Sequence, residues 1–363
     1  MKGVNTPMKE GLTLQEMADK IIKQSSQKAD YLVDTRNLQL EPYGSEVYLH
    51  MYDNNSEPLE PLQVNQIAHR QIGTHLKIPA AYYDRMLTTH PELLAQNVNF
   101  WFQREPTMRM LRTMGGTARA FLSNRYRRID NLEIASVVIP IISQMEGAHF
   151  ESCQITDSRM YIKVVNTRLE AEVVPGDIVQ AGVIISNSEV GQGSVCIQPL
   201  VYRLVCSNGM IINDAQTRRN HVGRVNETEE SFQLYSEETL MAEDKAFVMK
   251  IQDTVKAAVE EARFSQVVGM MKTAKQAAMD THDVPGIVRL ASKEFHITED
   301  ESTGVLQHLI EGKDLSLYGL SNAVTRYSQD VGSYDRATEL ESIGYNILSM
   351  PARQWNRINQ MAA

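Results

Sequence analysis

The sequence predicts an α+β fold with a central, mainly antiparallel sheet, a flanking helix, and helical regions at both ends of the chain. The clearest observation is the stretch 181–211, where apolar residues alternate along two strands on either side of the polar, glycine-containing stretch 186–193. Residues 150–155 and 160–165 alternate in the same way. After residue 225 the apolar residues take helical spacing, so we expect the sheet to occupy the middle of the chain.

The N-terminal region, residues 1–103, is predicted to be helical with one small hairpin. Thr13 and Glu16 form a capping-box pattern that begins a first helix. Residues 38–40 and 46–52 alternate as the hairpin, and 65–87 read as two helices separated near Lys77. The outline of this helix pair is that of a helix-turn-helix DNA reader, but its second helix lacks base-reading side chains, and we favour a plain helical hairpin.

The central region, residues 104–225, holds the predicted sheet and one helix over 131–144. Asp130 and Glu133 cap this helix on the capping-box pattern, and Pro140 lies inside it. Its expected buried stripe consists of Leu132, Ala135, Ile139 and Ile142. Asn208-Gly209 is expected to turn the chain at the end of the last long strand. In the third region, residues 226–363, we predict one long helix to about residue 279, then three or four shorter helices, and a tail without a clear pattern.

The composition is that of a globular protein with room for a sizeable core. The chain has 363 residues, of which 42% are hydrophobic and 22% are charged. We find no apolar run near the ~20 residues that cross a bilayer, and no secretory signal in the first ten residues. Three cysteines without a C-x-x-C pair indicate neither a disulfide framework nor a zinc site. We therefore expect a cytoplasmic protein, in the cytoplasm of a host cell, that does not contact membranes.

An arginine-rich stretch, residues 104–128, is the most informative feature for function. It holds seven arginines and one acid, Glu105, in a chain whose net charge is −9. Guanidinium groups neutralise phosphates, and interleaved aromatic rings let unpaired bases stack. From this stretch we expect nucleic acid to be bound by Arg109, Arg112, Arg119, Phe121, Arg125, Tyr126, Arg127 and Arg128. Arg203, Arg218 and Arg219 could extend the same face across the central strands. The alternative, equally weighted, is that these arginines pair with acids elsewhere in this acidic chain or with those of a partner subunit.

The other candidate motifs favour structural interpretations. Gly191-x-Gly193 lacks the third glycine of a dinucleotide fingerprint and precedes a strand, so a hairpin turn is the better interpretation. The cysteines lie in apolar contexts without a histidine partner, and the nine histidines show no metal-binding spacing. Glu311-x-Lys313 is best explained as a helix end rather than as part of a nuclease motif. We predict no catalytic residue, cofactor or metal. Four polar residues around the central turns either cap those turns or frame a groove: Asn187, Glu189, Arg203 and Asn208.

Several stretches resemble the phage/plasmid-like proteins, domain-of-unknown-function family 932. The resemblance lies in S-N-S-E-V-G-Q-G (186–193) with Y-R-L-V-C-S-N-G (202–209), and in three further stretches at 78–86, 119–131 and 320–327. It extends from about residue 67 to residue 327. It implies a protein of a phage, prophage or plasmid, and it implies no reaction.

Two hypotheses about function follow. The first is a non-enzymatic nucleic-acid-binding protein that acts on phage or plasmid DNA in replication, recombination or annealing and is assembled as a homo-oligomer. Single-stranded DNA is one candidate ligand, and the sequence leaves the choice between single and double strands open. The second is an accessory factor that binds a host defence or replication protein through the acidic helical region that begins near Glu227. No constellation of residues names an enzymatic reaction.

Overall fold

The fold is α+β, as the sequence predicts, and it contains two separate sheets. The computed structural model describes residues 11–44, 46–52, 57–126, 128–193, 195–213, 221–222 and 237–362. Two mostly antiparallel sheets lie in the first two thirds of these residues, and helices fill the last third. None of the helices in the described residues has the length and apolar composition needed to cross a bilayer.

The first sheet has six strands in the order β1-β5-β6-β4-β3-β2. Its strands are β1 (Lys28–Asp34), β2 (Leu38–Tyr43), β3 (Glu46–Met51), β4 (Leu62–Val64), β5 (Met108–Met114) and β6 (Thr117–Ser123). All neighbours pair antiparallel except β4 and β6. The predicted hairpin is confirmed as β2 and β3. The arginine-rich stretch forms β5 and β6, so this sheet takes strands from both sides of residue 103.

Four helices surround the first sheet or lead into it: α1 (Leu14–Gln27), α2 (Gln66–His75), α3 (Ala80–Thr89) and α4 (Pro91–Arg104). The predicted capping box begins α1, where the Thr13 N–H donates to Glu16 and the Glu16 N–H donates to Thr13 Oγ1. Helices α2 and α3 form the expected pair. A Cβ atom at Gly73 would lie 2.9 Å from the Tyr83 ring, so glycine here allows the two helices to approach closely. Asn99 of α4 covers the edge strand β2, because its side-chain amide bonds both the N–H and the C=O of Leu40.

The second sheet is the predicted central sheet, with strand order β11-β10-β9-β8-β7 and a short β12 on β10. Its strands are β7 (Ala148–Ile155), β8 (Met160–Glu172), β9 (Ile178–Asn187), β10 (Val195–Arg203), β11 (Asn208–Ile211) and β12 (His221–Val222). Every pairing is antiparallel. Residues 188–193 connect β9 to β10 as the predicted hairpin turn. Helix α5 (Asn131–Ser143) is the expected flanking helix and contains Pro140.

Seven helices complete the described residues: α6 (Glu237–Ala258), α7 (Glu261–Gln276), α8 (Val284–Glu294), α9 (Glu299–Gly312), α10 (Leu317–Tyr327), α11 (Tyr334–Leu348) and α12 (Ala352–Ala362). The apolar faces of α7 to α12 pack together and onto one end of the second sheet, around Val179 and Val201. Val183 and Ile185, further along β9, face α5 and α6 instead. Because side chains alternate along a strand, Ile184 and Ser186 point to the opposite face of this sheet. On that face a small cluster joins Tyr161 and Ile184 to Tyr334 of α11.

Four local predictions were wrong. Asp130 precedes α5, but its side chain makes no capping bond because its carboxylate accepts a hydrogen bond from Arg112. Leu132 is exposed, and the buried residues of α5 include Ile134 and Val138. The turn after β10 lies at residues 204–207, where Ser207 takes the positive φ of 49°, and Asn208-Gly209 begins β11.

The fourth correction concerns the C-terminal region. The single long helix predicted to residue 279 is two helices, α6 and α7, with a break near Glu260. Four shorter helices, α8 to α11, follow it as predicted, and the tail expected to lack a clear pattern is the helix α12.

Candidate functional site

The arginine-rich stretch does not form an open ridge, because strands β5 and β6 direct several of its arginines into the protein. Arg112 is 1% exposed. Its Nε donates to Asp30 Oδ1 at 2.8 Å and its Nη2 to Asp130 Oδ1 at 2.6 Å. Burial alone would lower the pKa of Arg112, but the two carboxylates raise it above its ordinary value. The alternative of internal pairing is therefore correct for this residue.

Arg119 is also buried, and its partner is the fully buried carboxylate of Glu189. Arg119 Nη1 donates to Glu189 Oε2 at 2.9 Å. Lys28 Nζ bonds the other oxygen, Oε1, which also accepts the Asn131 N–H at 2.7 Å. Two cations and a backbone donor thus neutralise one carboxylate in the interior, which is the arrangement that makes a buried charge tolerable.

The expected stacking surface and the second arginine group are also internal. Phe121 is buried and stacks on Phe102 with ring centroids 5.7 Å apart. Tyr126 is half-buried, and its hydroxyl donates to the Ser188 carbonyl. Arg203 forms a two-point ion pair with Asp177, Nε to Oδ1 at 2.6 Å and Nη2 to Oδ2 at 2.8 Å. The expectation that Arg112, Arg119, Phe121 and Arg203 lie on an open surface was wrong, because each has its partners inside the fold.

Three of the predicted arginines remain accessible in part. Arg109 is half-buried over the Phe121 ring, its Nε has no hydrogen-bond partner among the described residues, and burial lowers its pKa. Arg128 is 56% exposed and makes one contact to Asp30 at 3.1 Å. Arg125 is exposed. Arg127, Arg218 and Arg219 lie outside the described residues. Contact of these arginines with nucleic acid stays a prediction.

The loop 186–193, whose sequence carries the family resemblance, joins the two sheets. The Glu189 carbonyl accepts a hydrogen bond from Arg112, and the Val190 carbonyl accepts one from Gln71 of α2. Asn187 donates to the Ile129 carbonyl and to the Asn131 side chain. Asn187 and Glu189 therefore hold elements together rather than line a surface. At Gly191, where φ is 74°, a Cβ atom would lie 2.6 Å from Leu122, so this position suits glycine for two reasons.

Next to this loop lies a polar groove, which we define by two adjoining cavities. The larger has a volume of about 810 Å³ and lies between α2, the open face of the second sheet and the start of α11. The smaller, about 610 Å³, lies between α2, α3 and the strands β3 and β4. Both cavities have Gln66 and Arg70 in their walls, so they adjoin at α2. Its larger part is lined by four side chains with amide groups: Gln66, Gln192, Gln198 and Asn213.

Arg159 is the cation of the groove that has no carboxylate partner. Its Nη2 donates to the Gln192 carbonyl, and no carboxylate of the described residues lies within the 4.0 Å ion-pair distance. The turn that carries Arg159 is fixed by Thr156, whose Oγ1 accepts the Arg159 N–H at 3.0 Å. Asp335 of α11 in turn accepts hydrogen bonds from the hydroxyls of Thr156, Ser158 and Tyr161. The position of Arg159 is therefore set by the sheet, the loop 186–193 and α11 together.

The other two arginines of the groove are paired with carboxylates. Arg70 Nη2 lies 2.6 Å from Asp84 Oδ2, and Arg336 pairs with Glu301 and Glu339. Hydrogen bonds from Arg336 lower the pKa of Glu301 to about 2. The smaller cavity also contains His69, a buried ring whose Nδ1 lies 2.9 Å from the Tyr83 hydroxyl. Arg159 is thus the cation most available to an anion that enters the groove.

The remaining candidate residues give no catalytic or metal site within the described part of the chain. Burial raises the pKa of the Cys153 and Cys196 thiols to about 11, which keeps them protonated. No group of three or more His, Cys, Asp or Glu side chains that could hold a metal occurs in the described residues. Glu311 lies in the last turn of α9, and Lys313 is its left-handed C-cap, as the helix-end interpretation predicts.

Reasoning from the sequence missed the groove. Arg70 lay in the helix pair that we weighed as a helix-turn-helix, and Arg159 lay in the Asp157-Ser158 turn between two strands. The sequence held only a weak indication of an unpaired cation: Arg159 lies in a short polar turn, and the neighbouring strand β9 contains no acid. The three elements that place Arg159 in the groove are separated by many residues, so no local pattern could identify it.

The fold and the groove define a two-sheet α+β protein. The buried ion pairs of Glu189 with Lys28 and Arg119 join the two sheets, and the polar groove lies beside them. Residues 120–356 match the family described as Domain of unknown function (DUF932), and the chain belongs to this family. The match begins inside β6 and ends in α12, so it includes the loop 186–193 and the helices that follow. Neither the curated proteins nor the solved structures contain a match to the chain.

Proposed function

We propose that this protein binds single-stranded nucleic acid along the groove, without catalysis, in replication, recombination or annealing of phage or plasmid DNA. The observation that carries the proposal is that the two cavities adjoin at Gln66 and Arg70. A groove of two cavities in series suits a linear polymer better than a single small molecule. Arg159 offers that polymer an anchoring charge that no carboxylate of the described residues neutralises.

The lining favours unpaired bases. Amide side chains can pair with the Watson–Crick edges of bases, and these edges are free only in single strands. Gln66, Gln192 and Gln198 line the groove. A duplex could not present its Watson–Crick edges to them, because its bases are paired with each other. The exposed Arg125 precedes Tyr126, whose hydroxyl bonds Ser188 in the loop that also contains Gln192. A strand that leaves the groove over this loop could therefore meet a second cation, Arg125.

The charge of the groove limits the affinity that we expect. Its walls carry three arginines, Arg70, Arg159 and Arg336, and four acids, Glu46, Asp84, Asp335 and Glu339. Each phosphate neutralised in a single strand contributes about 0.7 to the slope of log affinity against log salt. With one unpaired arginine and a net charge of −9, we expect a shallow slope and binding that is readily measured only at low salt.

The proposal is tested by fluorescence anisotropy with a labelled oligothymidylate. We expect Arg159→Ala to weaken binding roughly tenfold and to lower the salt slope by about 0.7. Arg357→Ala is the matched control, because Arg357 is 60% exposed on α12, outside the groove lining, and its loss should change neither quantity. Equal affinity of the Arg159→Ala protein and the parent, with equal melting temperatures, would refute the proposal.

A second candidate function, protein binding, is favoured by the outer face of α4. Leu93, Phe100 and Trp101 are exposed there, and the two aromatic rings contact each other edge to face at 5.2 Å. Glu92 begins this helix and Arg104 ends it, so two antiparallel copies would bring opposite charges together. We therefore propose a second copy of the chain as the occupant. We expect sedimentation velocity to show that the parent protein is a dimer and that the double variant Phe100→Ser, Trp101→Ser is a monomer. A monomeric parent protein would exclude a second copy as the occupant.

A further inference from the structure

The C-terminal helices form an open cavity that differs from the groove in having no charged side chain of the described residues in its walls. It lies between α7, α10, α11 and α12 and has a volume of about 680 Å³. This volume falls within the range of about 300–1,000 Å³ that is usual for small-molecule sites. Two cavities in a protein that differ in chemistry are suited to different ligands, so this one calls for its own explanation.

The walls of the cavity are mainly apolar and adaptable, with four polar side chains among them: Gln266, Thr273, Ser349 and Asn356. Met270, Leu317, Leu348 and Met350 contribute most of the large side chains. Methionine is flexible and fills irregular space, so two of them allow the walls to fit more than one shape. No charged side chain of the described residues lines the cavity. An ion in the cavity would lose its hydration without gaining a counter-charge, so the lining disfavours charged ligands.

Trp355 supplies the buried polar group of this wall that has no hydrogen-bond partner among the described residues, beside the amide and hydroxyl groups of Gln266, Thr273, Ser349 and Asn356. The residue is 3% exposed, and its Nε1 is buried without a hydrogen-bond partner among the described residues. Buried indole N–H groups usually have an acceptor, and a donor left without one is costly. An acceptor from outside the chain would remove this cost.

We propose that the cavity is a binding site for a small, uncharged and mainly apolar molecule that carries one carbonyl oxygen. Its apolar body fills the space between α7 and α12, and a shift of the flexible walls lets its carbonyl accept a hydrogen bond from the buried Trp355 Nε1. The proposal is independent of nucleic-acid binding, because the cavity and the groove share no lining residue.

Tryptophan fluorescence tests the proposal directly. The chain has two tryptophans, so Trp101→Phe leaves Trp355 as the single reporter. Menthone serves as the probe, and menthane, the same skeleton without the carbonyl, is its counterpart. We expect menthone to change the Trp355 emission saturably and menthane to bind roughly tenfold more weakly, because it leaves the indole N–H unpaired.

A glycine in the cavity wall provides the control variants. A Cβ atom at Gly269 of α7 would have no atom within 4 Å, so Gly269→Leu should fill the cavity without straining the helix. Gly312 of α9 is equally free of contacts and lies outside the cavity, so Gly312→Leu is the matched control. We expect only Gly269→Leu to abolish the menthone response. Equal binding of menthone and menthane, an unresponsive Trp355, or an unchanged response in Gly269→Leu would overturn the proposal.

Discussion

The carboxylate of Glu189 connects the two sheets at the scale of a single residue. It lies in the loop between β9 and β10, and its partners Lys28 and Arg119 belong to the first sheet. Removing one member of a buried ionic group leaves the others charged and uncompensated, which typically costs about 3–5 kcal/mol. A glutamine at this position would keep the shape and lose the charge.

We predict that Glu189→Gln lowers the free energy of unfolding in urea by about 3 kcal/mol. The matched control is Glu339→Gln, because Glu339 is an exposed partner of Arg336 and its replacement should cost less than about 1 kcal/mol. If the two variants unfold at the same urea concentration, then Glu189 is not the connection that the structure indicates.

His69 makes stability depend on pH. Burial lowers its pKa to about 4 from the 6.5 of an exposed histidine. The unfolded chain therefore takes up the proton more readily than the folded one, and stability is lost as the pH falls from 6.5 towards 4. We expect this residue to account for about 2 kcal/mol of the stability difference between pH 7.5 and pH 5. Urea unfolding of the parent and of His69→Gln at both pH values measures it, and equal pH dependence in the two proteins would contradict it.

At the scale of elements, the buried pair of Lys163 and Glu341 fixes α11 on the second sheet. Lys163 Nζ lies 2.8 and 2.7 Å from the two carboxylate oxygens and 4.9 Å from the centre of the Tyr334 ring. The carboxylate raises the pKa of Lys163 against the opposing effect of burial. This helix also carries Asp335, so its placement determines the geometry of the groove.

We predict that Lys163→Met alone destabilises the protein by about 3–5 kcal/mol, because it leaves the Glu341 carboxylate buried without its partner. Adding Glu341→Leu should restore most of that loss, since an apolar pair of similar volume is often as stable as the ion pair. A double-mutant cycle measured by urea unfolding gives the coupling. Additive effects of the two substitutions would show that the pair does not act as a unit.

The sequence predicted elements well where the signal was local. The alternation of β9 and β10 and the capping box of α1 each lie within a short window. It failed where a distant residue decided the outcome. Asp130 has a good capping side chain, but Arg112 bonds its carboxylate instead. Leu132 fits the helical spacing of a buried stripe, but the strands pack against Ile134 and Val138.

At the scale of the whole molecule, the groove arises where the two sheets and the C-terminal helices meet. Its walls come from α2, from β8 to β10, and from α11, which are far apart in the chain. The high local charge of the arginine-rich stretch predicted a nucleic-acid-binding surface. The sequence does not reveal which of these arginines form ion pairs with carboxylates that are distant along the chain. Asp30, Asp130 and Glu189 neutralise much of it from three different parts of the chain.

The most direct test of the central claim, that a single strand occupies the groove, is site-specific photo-crosslinking. A photoreactive phenylalanine analogue would replace Gln198 in the groove or, as a control, Gln360 at the exposed end of α12. After irradiation with a labelled oligothymidylate at low salt, we predict a crosslink at position 198, its loss in Arg159→Ala, and none at position 360. Equal crosslinking at the two positions, or none at position 198 while the strand binds, would contradict the account.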